Sequence, residues 1–250
     1  MPAWPEVSAA GLAVGLLFGI FGVGGSSFAT PALGLLGVSG IIAVATPLPA
    51  TIPAALAGMV TYVRRDQVEW PVARWCIYGG VPATVVGAAM SSLVGGAGLL
   101  IASGVVLGAV GARLLVPLPT RAGLLASRRR PSVVIPAAAA IGFFTGLLAN
   151  GGGFLLVPLF VLILGLTMPE SAGTSLVVIA VLSIPTLITH WALGHIDWTV
   201  AGAFALGSIP GAAVGAQLSQ RLPANAMKRS FGILLIVFAT YFVVRQVAVG

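Results

Sequence analysis

Two glycine clusters hold the residues best placed to do chemistry. Residues 21–33 read FGVGGSSFATPAL and residues 148–160 read LANGGGFLLVPLF. Both sit in strongly apolar sequence, and a proline follows each within a few residues. A glycine run stops a helix, and the helix that restarts beyond it presents free N–H groups and the positive end of its dipole. Such an end is a ready anion site, and glycine lets a ligand approach the backbone closely. In the first cluster the candidate ligand-binding groups are Gly24 and Gly25, with the hydroxyls of Ser26 and Ser27. In the second they are Gly151, Gly152 and Gly153, with the side-chain amide of Asn150. Two such termini meeting at the middle of a membrane would hold an anion with N–H and hydroxyl donors and no full charge. Packing is the competing use of glycine. Gly11, Gly15 and Gly19 are spaced by four, as are Gly142 and Gly146, and are assigned to close helix contact. The clusters exceed what packing requires.

A second polar element follows each cluster: ATPLPATIPAA from residue 45 and AGTSLVVIAVLSIP from residue 172. Thr46 and Thr174 fall on matched positions, and Ser175 stands beside the latter. They are candidate ligand donors, with bonding back to their own helix as the alternative. The five acidic residues, Glu6, Asp66, Glu69, Glu170 and Asp197, all fall near segment ends, so no acidic proton relay is visible. His190 lies inside an apolar block and is the one candidate for proton coupling; a neutral packing role competes. No metal site is expected, although His195 and Asp197 share a loop. The single Cys76 allows no internal disulfide. No nucleophile–base pair or carboxylate pair lies within the apolar sequence, which argues against an enzyme, and no cofactor is implied.

The elements that position these residues must be membrane helices. Of 250 residues, 58% are hydrophobic and only 7% charged, with mean hydropathy +1.11. Soluble domains carry roughly a quarter charged residues. The long apolar runs suit helices, which need about 20 residues to cross a bilayer, and do not alternate as barrel strands do. The formal charge of +7 resides in short connections (Arg64, Arg65, Arg74, Arg121, Arg128 to Arg130, Arg221, Lys228 and Arg229), where it sets orientation rather than recruiting nucleic acid. The N-terminus lacks the basic region of a cleaved signal.

The chain also repeats itself. Gly15, Gly19, Gly24, Gly25 and Pro31 align with Gly142, Gly146, Gly151, Gly152 and Pro158. After one extra residue, Thr46, Tyr62, Trp70, Pro82 and Gly87 align with Thr174, His190, Trp198, Pro210 and Gly215. The expected fold class is therefore all-α and polytopic, with two homologous repeats at 7–117 and 133–249. A basic linker loop, 118–132, joins them. Each repeat has about four apolar helical blocks, the first broken at its glycine cluster into arms of about 18–22 Å. If that block is one broken crossing, the repeats are parallel and Arg221, Lys228 and Arg229 face away from the other basic loops. If it is a re-entrant hairpin, each repeat has three full spans besides, the repeats are inverted, and every basic residue except Arg245 falls on one side. The positive-inside rule favours the hairpin, and inverted repeats with broken helices recur among transporters.

With GVGGSSFATPAL, NGGGFLLVPLF, AGTSL and the GHIDW stretch at 194–198, echoed as RDQVEW, essentially the whole chain resembles the sulfite exporter TauE/SafE family of permeases. The resemblance implies a multi-pass cell-membrane transporter whose partners are a small anion (sulfite, a sulfonate or a related sulfur-containing or organic anion) and the lipid bilayer. A homo-oligomer is left open. The chain departs from its own symmetry, since Val23 and Ser26 in the first cluster stand opposite Asn150 and Gly153. An anion channel sharing the site is the first alternative; an integral-membrane enzyme and a structural subunit come further behind. An inside-negative potential would drive a bound anion outward without a co-ion.

Overall fold

The computed structural model describes residues 3–38, 40–90, 108–116, 131–148 and 153–249. In chain order its helices are α1 (Trp4–Phe21), α2 (Gly25–Leu35), α3 (Gly40–Ala45), α4 (Leu48–Val63) and α5 (Trp70–Met90). There follow a helical stretch α6 over 108–115, then α7 (Pro131–Leu148), α8 (Gly153–Pro158), α9 (Met168–Ala192), α10 (Trp198–Ser219) and α11 (Ala224–Val249). A π-helical turn, Leu159–Ile163, continues α8 beyond Pro158. There is no strand among the described residues. Among the described residues, four stretches are long and apolar enough to cross a membrane: Trp4–Phe21, Ile41–Val63, Met168–Ala192 and Trp198–Ser219. The linker 118–132 and the last block of the first half lie largely outside the described residues.

The first glycine cluster does break its helix. α1 closes on Gly22, whose φ of 68° is left-handed and whose N–H donates to the Phe18 carbonyl, a helix end that favours glycine. Chain direction then reverses. Gly25 lies against the Phe18 ring, and Ala13, Val14 and Leu17 share a cleft of about 320 Å³ with Phe28, Pro31, Ala32 and Leu35. The arms are unequal. α1 has 18 residues and α2 has 11, so α1 is about 27 Å long and α2 about 17 Å. The equal half-membrane arms expected from the sequence are not formed on this side.

α1 lies along α10 with the two helices parallel. A Cβ placed on Gly11, Gly15 or Gly19 would run into the backbone of Phe204, Ser208 or Ala212. From the other side, Gly207, Gly211 and Gly215 meet the backbone of Ser8, Leu12 and Leu16. α7 lies against α5 in the same manner, Gly142 on Gly80 and Gly79 on the carbonyl of Ile135. Without lipid-excluding hydrophobic force, membrane helices associate through van der Waals contact and close backbone approach. α4 and α9 run antiparallel between these pairs: Gly58 meets Leu176, and Gly173 meets Tyr62 and the Gln67 carbonyl. α6 meets α11 where Gly111 and Gly232 touch.

Helix starts are fixed by short-range caps. Thr167 and Glu170 form a reciprocal capping box on α9, the Thr167 N–H donating to the Glu170 carboxylate at 2.8 Å. The Asp197 carboxylate accepts from the N–H groups of Thr199 and Val200 on α10. Two of the five acidic residues are thus occupied as helix caps. Trp70 and Trp198, the first residues of α5 and α10, are exposed, as an interfacial belt requires.

Substituting Gly207→Leu would drive four extra heavy atoms into the α1 backbone. We expect loss of monodisperse protein on size exclusion in detergent, whereas Gly202→Leu, where a Cβ meets open space, is expected to leave the elution profile unchanged.

Candidate functional site

The described half of the expected site gathers around the end of α1. Beyond Gly22 and Val23, α2 starts at Gly25 with Gly24 as its N-cap, a residue with no side chain to cap the helix. Gly24 and Gly25 are buried. α2 therefore begins inside protein at a glycine N-cap, and N–H groups left free at such a start are the local condition for holding an anion. The side chains of Ser26 and Ser27 lie outside the description, as do Asn150, Gly151 and Gly152. Gly153 is the first residue of α8, so a helix does restart at the second cluster.

The break is held by side chains from distant segments. The Ser175 hydroxyl, on α9, lies 2.6 Å from the Gly22 carbonyl and 3.0 Å from that of Ala172. A Cβ on Gly22 would fall 2.5 Å from the Ser175 Oγ. Ser175 thus stands at the glycine break, as the sequence suggests, with its hydroxyl aimed at the backbone of α1. Tyr62, which sequence reasoning passes over, does more. Fully buried, it places its hydroxyl 2.8 Å from the Gly19 carbonyl, 3.0 Å from that of Ile20 and 2.8 Å from Ser219 Oγ. These are carbonyls of the last turn of α1, which have no partner within the helix. Ser219 lies 2.7 Å from the Ala216 carbonyl and accepts from the Gln220 amide at 3.2 Å. Since Tyr62 and Ser219 sit in the last turns of α4 and α10, the break lies level with the ends of those helices. A midpoint position, as for a tip at the middle of the membrane, is not adopted. The one signal for Tyr62 in the sequence was its alignment with His190, another polar ring at the same place.

Thr46 and Thr174 are both fully buried, and the structure does not bring them together. The Thr174 Oγ1 accepts the N–H of Glu69 at 3.0 Å, and the Thr46 Oγ1 accepts the N–H of Asp197 at 3.2 Å. Each hydroxyl caps the residue that precedes α5 or α10, and the two contacts lie at opposite ends of the antiparallel α4–α9 pair. His190 is also at the end remote from the break. It is 6% exposed and its Nδ1 stands 3.1 Å from that of His195. One nitrogen must donate and the other accept, so the pair is a polar contact between two imidazoles. Among the described residues no three His, Cys, Asp or Glu side chains group as a metal would need.

The Tyr62 hydroxyl has one hydrogen for the carbonyls of Gly19 and Ile20, and removing it leaves the α1 terminus without that donor, a cost of about 1–3 kcal/mol for a buried unsatisfied group. Tyr62→Phe is expected to lower the apparent unfolding temperature in detergent by several degrees. Thr46→Val and Thr174→Val are each expected to do the same to a smaller extent, since each strips a half-buried N–H of its acceptor.

Comparison with known proteins adds the context. The model of a family described as sulfite exporter TauE/SafE matches residues 7–242. A probable membrane transporter protein of Xylella fastidiosa (strain 9a5c) is 30% identical, over 93% of this chain and 92% of its own length. The probable membrane transporter protein YjnA of Bacillus subtilis (strain 168) is 26% identical, over 91% of this chain and 94% of its own. YunE of the same strain, also a probable membrane transporter protein, is 23% identical, over 91% of this chain. No solved structure matches.

Proposed function

Since the chain belongs to the sulfite exporter TauE/SafE family, and is a multi-pass membrane transporter rather than an enzyme, we propose that it is a permease for small anions, sulfite and sulfonates foremost. The observation that carries this reading is the start of α2: a helix N-terminus opened by two buried glycines, Gly24 and Gly25, the first an N-cap with no side chain to offer. The anion binds there through backbone donors and the hydroxyls of Ser26 and Ser27. Gly151, Gly152 and Gly153, with Asn150, build the corresponding site in the second half. Ser175 and Thr174, at the break end of α9, belong with the first of these sites, and Thr46, at the opposite end of the α4–α9 pair, is assigned to the second. Binding without a fixed positive charge keeps the anion from being held too tightly to leave.

Two repeats of inverted topology supply the machinery. Three features support them. The close pairs match in register, Gly15 on Ser208 beside Gly142 on Gly80. So do the caps, Thr46 with Asp197 beside Thr174 with Glu69. Aligned α4 and α9 run antiparallel, as inversion demands. A re-entrant hairpin of α1 and α2 agrees with the charges, for Arg221 shares a cleft with Arg65 and Lys228 feels Arg113. A single broken crossing would put these residues on opposite sides. What moves, on this reading, follows from the glycine contacts. α1 is joined to α10 and α7 to α5, so the bodies that rock are these exchanged pairs about α4 and α9, not the two halves as written. The drive is the membrane potential, worth about 2.3 kcal/mol per charge per 100 mV. His190, placed in contact with His195, is the residue through which a proton would enter instead.

The test is sulfite and small-sulfonate flux into proteoliposomes. We expect saturable flux with counterflow, sensitive to an imposed potential; flux that never saturates and shows no counterflow would mean a channel. Gly25→Ala, whose Cβ meets only the Phe18 ring at 3.6 Å, should retain flux within about twofold. Gly25→Asp places a carboxylate where helix N-termini favour one, so it should fold yet lose flux by at least about tenfold by occupying the anion's place. Equal flux in both variants would reduce the cluster to a packing device.

A further inference from the structure

A second polar feature lies beside the break. Where α4 and α10 end, a cleft of about 400 Å³ is lined by Thr61, Arg65, Gln217, Gln220 and Arg221, with two apolar side chains. Arg65 follows α4 and Arg221 follows α10, so the two guanidinium groups come from opposite halves of the chain. Both are exposed, and no carboxylate is among the described residues of the lining; Asp66, next in the chain, lies outside it. Like charges converging on one concavity repel, and an anion between them relieves that repulsion. Guanidinium groups present donors in a fork that suits tetrahedral and trigonal oxyanions, and the amides and the Thr61 hydroxyl add neutral donors. The cleft is also wired to the interior. Gln220 donates to Ser219, Ser219 contacts Tyr62, and Tyr62 reaches the Gly19 carbonyl three residues from the break.

We propose that this cleft is a docking station for the transported oxyanion at the basic mouth of the protein, which collects the anion from solution and passes it toward the α1–α2 break. The inference rests on the anion-permease reading. Division of labour follows from the charges: the exposed arginines capture, where water and salt screen them and release stays fast, and the uncharged backbone site translocates. Loss of capture lowers the encounter rate and raises KM; it does not slow the rocking step.

The experiment measures sulfite flux from the Arg65 side into phosphatidylcholine proteoliposomes carrying the full chain. Arg65→Gln/Arg221→Gln is expected to raise KM by about tenfold or more, the scale of steering by a charged mouth, with Vmax within about twofold. The rise of wild-type KM with salt should flatten in this variant. Arg65→Lys/Arg221→Lys should recover most of the loss, and Arg74→Gln, an exposed charge outside the cleft, should change little. An unchanged KM, or a Vmax collapse at constant KM, would overturn the proposal. So would a difference between wild type and the double variant that exists only when phosphatidylglycerol is added, since the occupant would then be a lipid headgroup. If wild type moves no sulfite, the permease reading for that anion fails, and docking is read separately by equilibrium dialysis of radiolabelled sulfite against detergent-solubilised protein. Binding lost in the double variant supports the cleft; equal binding, or none to wild type, sinks it.

Discussion

The contact between α1 and α10 sets the terms for everything around it. Glycines on both helices bring backbone to backbone, with Gly15 against Ser208 and Gly207 against Ser8. In a bilayer, lipid tails are as apolar as leucine, so helices gain little by hiding apolar side chains from one another. Close approach replaces that missing force with dispersion spread over many atoms. It also fixes α1 lengthwise, which puts its C-terminus level with Ser219 at the end of α10. Only at that height can the Tyr62 hydroxyl reach the carbonyls of Gly19 and Ile20, and Ser175 that of Gly22. The glycine break is thus held from outside by α4, α9 and α10.

That arrangement explains why the break survives in an apolar chain. Backbone leaving a helix at membrane depth is tolerated only where protein or a watery cavity takes up its polar groups. On the α1 side the carbonyls are taken up by Ser175 and Tyr62. On the α2 side the N-cap is a glycine, which brings no capping side chain of its own. The asymmetry of the two ends is informative. A break that served packing alone would gain from capping both, and a serine or aspartate at position 24 would do so cheaply.

Much of this was legible in the residues, for identifiable reasons. Membrane character followed from 7% charge, too little to cover a water-facing surface, and helical character from long apolar runs that do not alternate as barrel strands do. The spacing of Gly11, Gly15 and Gly19 announced close contact, yet spacing along one helix carries no information about which helix lies opposite. Nothing in residues 7–21 points to residues 204–216. Ser175 was named as a candidate donor beside Thr174, but its contact with the Gly22 carbonyl comes only from the fold. Thr46 and Thr174 were recognised as a matched pair, but a threonine hydroxyl serves a ligand or a backbone N–H equally well, and only the fold shows Asp197 and Glu69 beside them. Tyr62 was hidden by position. Two residues before a pair of arginines it reads as an interfacial aromatic, and its ring must be followed inward to find the Gly19 carbonyl.

The unequal arms of α1 and α2 bear on mechanism. A hairpin with two short arms would put its tip halfway across the bilayer, equally far from both faces. Here α1 runs the length of α10, so its tip is one short step from the basic end of the bundle, beside Arg65 and Arg221. If the second half is inverted, its own break lies correspondingly near the opposite face. On the permease reading proposed above, an anion would then meet one uncharged N-terminal site close to each mouth, with the α4–α9 pair between. In such a layout neither site needs to be exposed to both sides in turn. What alternates is the passage between them, and the small residues that let α1 and α10 touch also make that pair stiff enough to move as one body. The sequence repeat would then serve less to build one symmetric pocket than to give each face of the membrane its own break.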